Sequence, residues 1–176
     1  MTPYTVLIRT GMDFAPCRQT IPGSRRNMLA VEPEMVGNCY SACIASLLAV
    51  PIEAVPHFQW QRNIDEYHAA MELPWHDRRL AREWLRTQGH DLATVERAEA
   101  DGLDCHYIVT VRSHKGPWNH AVIGHRGAVV FDPSGNDTYT MAEADPDDTS
   151  VEVIAEPYDP EPAELIRRWL TQVGAS

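Results

Sequence analysis

The segment Gly37-Asn38-Cys39-Tyr40-Ser41-Ala42-Cys43-Ile44-Ala45-Ser46-Leu47-Leu48 constrains this chain more than any other. It reads as a loop that turns into a helix, with a cysteine on the first turn. Asn38 suits the N-cap, because its side-chain oxygen can accept a bond from a free backbone N–H. Cys43, Ile44, Leu47 and Leu48 then fall on one face at helical spacing, and Pro51 ends the run. Cys39 is therefore expected where the first N–H groups and the helix dipole favour an anion. That setting lowers a thiol pKa and produces a thiolate nucleophile.

A nucleophilic thiol needs a base, and the base needs a third group to orient it. The second half of the chain supplies both. A strand is predicted over His120-Ala121-Val122-Ile123-Gly124 and another over Ala128-Val129-Val130-Phe131, with His125-Arg126-Gly127 as the hairpin turn between them. His120 opens the first strand and Asp132 follows the second. A hairpin brings those ends side by side. Asp132 is then expected to accept the His120 Nδ1–H and to leave Nε2 facing Cys39.

The rest of the chain divides into a helical part and a sheet part. Residues 1–37 read as a short strand over 4–9 followed by an arm rich in Gly, Pro, Ser and Arg. Residues 38–89 hold the Cys39 helix, a proline-bounded connector over 51–58, a helix over 60–72 and another over 76–88. In the last, Leu80, Trp84 and Leu85 line one side, and Gly89 is the C-terminal stop. Residues 90–176 hold strands over 90–95, 105–111, 120–124, 128–131 and 150–155, then an amphipathic helix over 162–173. Helices first and an antiparallel sheet second is an α+β arrangement in a single domain.

Composition narrows the function. The formal net charge of −10 argues against sequence-independent binding to nucleic acid, which needs a basic face. It disfavours anionic lipid equally, and it is compatible with a peptide or protein substrate. No run of about 18 apolar residues is present, and the N-terminus does not read as a signal peptide. The four cysteines are too sparse for a disulfide framework, so reduced thiols and a cytoplasmic location are expected. The sequence is silent on oligomeric state.

The order Cys39, His120, Asp132, with the cysteine on a helix and the other two on adjacent strands, resembles the papain-like cysteine peptidase superfamily. Within it the pattern is most similar to the double-glycine leader peptidases of bacteriocin export. There too the nucleophile opens an Ala/Cys-containing helix, as in Cys39-Tyr40-Ser41-Ala42-Cys43, and a His before a strand is followed by an Asp-Pro pair, as in His120 and Asp132-Pro133. The resemblance covers roughly residues 32–135. It implies a papain-like fold, with N-terminal helices packed on a C-terminal antiparallel sheet. It implies Cys39 as nucleophile, His120 as base and Asp132 as orienter, with no cofactor. The reaction implied is cleavage of a peptide or isopeptide bond through a thioester.

One departure concerns the oxyanion hole. The superfamily places a Gln several residues before the nucleophile, and here that stretch reads Val31-Glu32-Pro33-Glu34-Met35-Val36-Gly37. The nearest upstream Gln is Gln19. The Cys39 N–H can serve one side of the hole, and Asn38, Asn119 or a folded-back Gln19 are the candidates for the other. Trp118, Asn119 and Tyr40 are candidates to line a substrate cleft.

Other readings stand beside this one. The same triad could serve transglutamination, amide hydrolysis or deamidation. The chain could be an inactive peptidase-like binding module, which the missing Gln favours. Cys39 and Cys43 with His120 could hold zinc, although structural zinc sites use tighter Cys spacings and four ligands. Cys43, one turn deeper on the apolar face, is expected to pack. Trp118 is either a core aromatic or a lid on the imidazole.

Overall fold

The computed structural model describes residues 14–20, 37–58, 76–116, 118–135 and 138–155. The strand expected over 4–9 and the helices expected over 60–72 and 162–173 lie outside the described residues. So do Glu32 and most of the 10–37 arm.

The architecture is α+β. Helix α1 spans Cys39–Leu48 and α2 spans His76–Thr87. Five strands follow: β1 (Asp91–Glu96), β2 (His106–Arg112), β3 (Asn119–His125), β4 (Ala128–Phe131) and β5 (Ser150–Ala155). They form one antiparallel sheet in the order β1-β5-β2-β3-β4. Strand boundaries fall within a residue or so of those read from sequence, because β-branched and aromatic content marks all five.

The inner strands β2, β3 and β5 are buried on both faces, so they read as near-continuous apolar runs, while the edge strands β1 and β4 are part exposed. Ile108, Ile123, Phe131 and Ile154 face one core with Cys43, Ile44, Leu47 and Leu85 of the helices. Tyr107, Val109, Val111, Val122, Val151 and Val153 face a second core with Tyr139 and Ala100.

Helix α1 departs from the amphipathic reading, for nine of its ten residues are buried. The helix is enclosed, and its polar side chains are satisfied locally. Ser41 Oγ donates to Pro56 O at 2.8 Å, and Ser46 Oγ donates to Ala42 O at 2.8 Å while accepting from Cys17 N at 2.9 Å. Segment 14–20 runs antiparallel to α1. Ala15 N bonds Ser46 O at 3.2 Å near the helix end, and the Thr20 hydroxyl meets Asn38 at its start. Helix α1 ends on Ala49 at φ 54°, a left-handed C-cap that glycine fills more cheaply. Helix α2 stops as its sequence predicts. Gly89 takes φ +83°, with Gly89 N bonded to Arg86 O and His90 N to Leu85 O.

The β3–β4 hairpin carries the decisive local detail. Arg126 and Gly127 both have positive φ, 47° and 74°, as a tight two-residue turn between antiparallel strands requires. His125 pairs with Ala128 and Gly124 with Val129, but Ile123 pairs with Phe131, so Val130 is a bulge. A one-residue insertion reverses the facing of everything after it. The bulge sends Phe131 into the helix-side core and shifts the chain by one residue just before Asp132.

Candidate active site

Asp132 and His120 meet at the end of the sheet nearest the start of α1. His120 is 8% exposed and Asp132 is 1% exposed. His120 Nε2 lies 2.7 Å from Asp132 Oδ1. The other hydrogen bond of the imidazole is with the Cys39 side chain. The three residues singled out from sequence are therefore brought together.

The ring is oriented opposite to the sequence expectation. Nε2, not Nδ1, binds the carboxylate, which leaves Nδ1 for Cys39. Continuing the register past the bulge sets Asp132 level with Val122, two residues along from His120.

Asp132 is held by more than His120. The Ser134 N–H donates to Oδ1 at 2.7 Å and the Ser134 hydroxyl to Oδ2 at 2.7 Å. Asp132-Pro133-Ser134-Gly135 is thus a turn and an orienting device at once. Burial raises the carboxyl's pKa, but the bonds from His120 and Ser134 win and hold it well below the usual carboxylate range. For His120, burial disfavours the charged ring. The bonds to Asp132 and Cys39 outweigh it and raise the imidazole to about 9. The ring is then an imidazolium at neutral pH, with both nitrogens donating.

That shift has a stability consequence of definite sign. The folded-state pKa of about 9 lies above the unperturbed 6.5. The contribution is fully present below pH ~6.5 and is lost as pH rises through about 9. Urea midpoints are expected to fall over this window, by less than the imidazole alone would give, because a thiolate at Cys39 has already released its proton in the folded state. His120→Ala should flatten that decline. An equal decline in the variant would show that the proton is not held at His120.

The remaining candidates separate. Asn38 does not cap α1 with its side chain; instead its Nδ2 donates to Thr20 Oγ1 at 3.0 Å. Gln19 is carried to the site by its backbone, with Gln19 N bonded to Pro133 O at 3.0 Å, immediately after Asp132. Asn119 is turned away from an oxyanion role, since its Nδ2 donates to Asp145 Oδ2 at 2.6 Å. Tyr40 is not a cleft residue. It is 7% exposed, and its hydroxyl donates to Glu152 in the core. Trp118 is half-buried, and its ring lies over Gly116, where a Cβ would sit 2.0 Å from it.

Several neighbours were missed. The Tyr139 ring lies against His120, 5.3 Å away between centroids, and nothing in the sequence spacing points to it. Arg18 donates from Nη1 to Asp132 O at 2.8 Å and lies 5.1 Å over the Phe131 ring. Ser134 was legible as the second residue after an Asp in a turn.

Burial raises the thiols of the other three cysteines. Cys43 is fully buried, and its thiol is pushed well above the usual value by burial first. Burial also raises Cys17, and it pushes Cys105 up to about 11. Among the described residues, no three His, Cys, Asp or Glu side chains converge as metal ligands. No helix among the described residues is long and apolar enough to cross a membrane. Compared with known proteins, the chain matches no family model, no curated protein and no solved structure.

Proposed function

We propose that this protein is a cysteine peptidase-like hydrolase of papain-like fold that acts through a thioester on Cys39. The observation that carries the reading is the buried imidazole of His120, hydrogen-bonded to Asp132 through Nε2 and in contact with the Cys39 side chain, both of which hold its proton. An imidazolium in that place favours Cys39 as a thiolate, and the first turn of α1 adds the positive end of a helix dipole.

The chemistry follows from these groups. The Cys39 sulfur attacks the carbonyl carbon of a peptide or isopeptide bond. The oxyanion that forms lies near the Cys39 N–H. His120 gives its Nδ1 proton to the leaving amine, and a thioester remains. His120, now neutral, takes a proton from water, which attacks the thioester and frees the acid. Asp132 keeps the ring oriented throughout and stabilises its charge.

The second oxyanion donor is Gln19 in this reading, because segment 14–20 brings it beside Pro133. Gln19→Ala is expected to lower kcat by about 10²-fold with little loss of stability. The function itself is tested by incubating the protein with a peptide pool and identifying an acyl adduct on Cys39 by mass spectrometry. An adduct that Cys39→Ala abolishes supports the hydrolase. A second reading, a binding module without turnover, is favoured by the 6% exposure of Cys39. Absence of any adduct, together with capture of a peptide by Cys39→Ala at wild-type affinity, would establish the binding module instead.

A further inference from the structure

Glu152 lies in the middle of β5 and is 2% exposed. Val151 and Val153 point into the core with Tyr139, so Glu152 points with Ile154 toward the helices. A carboxylate there is costly unless paired and hydrogen-bonded. The pairing comes from two helices. The Tyr40 hydroxyl of α1 donates to Oε2, and Arg78 of α2 meets Oε1 through Nε. Arg78 also pairs with Asp148, just before β5. Asp77 of α2 acts on Tyr40 through its charge. Across the strands, Glu152 pairs with Thr94 of β1 and Ile108 of β2, neither of which is charged.

Tyr40 directly follows Cys39 on the first turn of α1. We propose that Glu152 is a positioning residue for Cys39, fixing the first turn of α1 through Tyr40 and tying it to α2 through Arg78. The inference rests on the catalytic reading of Cys39 and adds a control on that site. Both bonds are formed in full only by the ionised carboxylate. Protonation of Glu152 removes an acceptor and leaves Arg78 to Asp148 and Ser150, and the first turn of α1 loses its anchor. Tyr40 is a steady donor, since burial first and the charge of Glu152 next push its phenol well above the usual value. Burial pushes the Glu152 carboxyl up to about 7 against the pull of Arg78 and Tyr40. The anchor therefore forms and releases around neutral pH, while His120 remains charged.

The test is the rate of Cys39 alkylation by iodoacetamide from pH 5.5 to 8.5, resolved by peptide mapping. In the wild type the rate should show a step near pH 7 beyond the thiol's own titration. The expected size is about tenfold, which corresponds to one pKa unit of coupling. Glu152→Gln should remove the step and hold the rate at its low-pH level. Tyr40→Phe, which cuts the link but leaves Glu152 on Arg78, should remove it too, and it serves where Glu152→Gln fails to fold. A fast Cys39 with an unchanged step in either folded variant would overturn the positioning role alone. A Cys39 no faster than Cys17 at any pH would overturn the catalytic reading and this inference with it.

Discussion

Replacing His120 with alanine is expected to lower Cys39-dependent turnover by about 10²–10⁴-fold, the range a positioned acid–base group supplies. The loss should fall on kcat, because the imidazole acts on the proton in flight and does not hold the substrate. Asp132 keeps both bonds from Ser134 in this variant, so the carboxylate is not stranded and the fold should survive. A steady-state assay with the substrate of any captured adduct measures the ratio directly. Undiminished turnover would place the base elsewhere.

Asp132→Ala should be the most destabilising change at the site. It leaves a buried imidazolium without its counter-ion, a change that typically costs ~3–5 kcal/mol. The Ser134 N–H and hydroxyl lose their acceptor as well. Asp132→Asn makes a sharper comparison. An amide oxygen can still accept from His120 Nε2 and the Ser134 N–H, and the amide nitrogen can donate to the Ser134 hydroxyl. The geometry should persist while the charge is lost. His120 then titrates at lower pH, and the alkaline limb of the rate profile should move down with it. Urea denaturation and a pH–rate profile check both statements. An Asn variant as damaged as the Ala variant would show that charge, rather than orientation, is what Asp132 contributes.

The site was legible in outline because two local rules carried it. A cysteine after Asn38 at the start of an apolar helical run gave the nucleophile, and the 120–132 hairpin gave its partners. The register that leads into Asp132 was not legible, because it depends on a bulge at Val130, and an extra residue in a strand leaves no mark on an apolar run. The Asn38 cap failed for a different reason. Asn38 sits at φ −105°, ψ 32°, outside the extended geometry of an N-cap, and its Nδ2 turns to Thr20, a tertiary partner 18 residues away. Tyr40, a cleft candidate by sequence, directly follows Cys39. The helix turns by about 100° per residue, so adjacent positions face different surroundings, and Tyr40 points to Glu152. Glu152 itself sits in an apolar strand, and the long-range approaches of Arg78 and Tyr40 explain a carboxylate there.

The most direct measurement is the relative alkylation rate of the four cysteines in the wild-type protein at pH 6. Burial raises the thiols of Cys17, Cys43 and Cys105, so almost none of them is thiolate at that pH. A thiol paired with an imidazolium at a helix start is substantially ionised there. The account predicts that iodoacetamide labels Cys39 at least ~10²-fold faster than Cys17, and that His120→Ala removes the difference. Equal rates at Cys39 and Cys17 would contradict it and make Cys39 a packing residue.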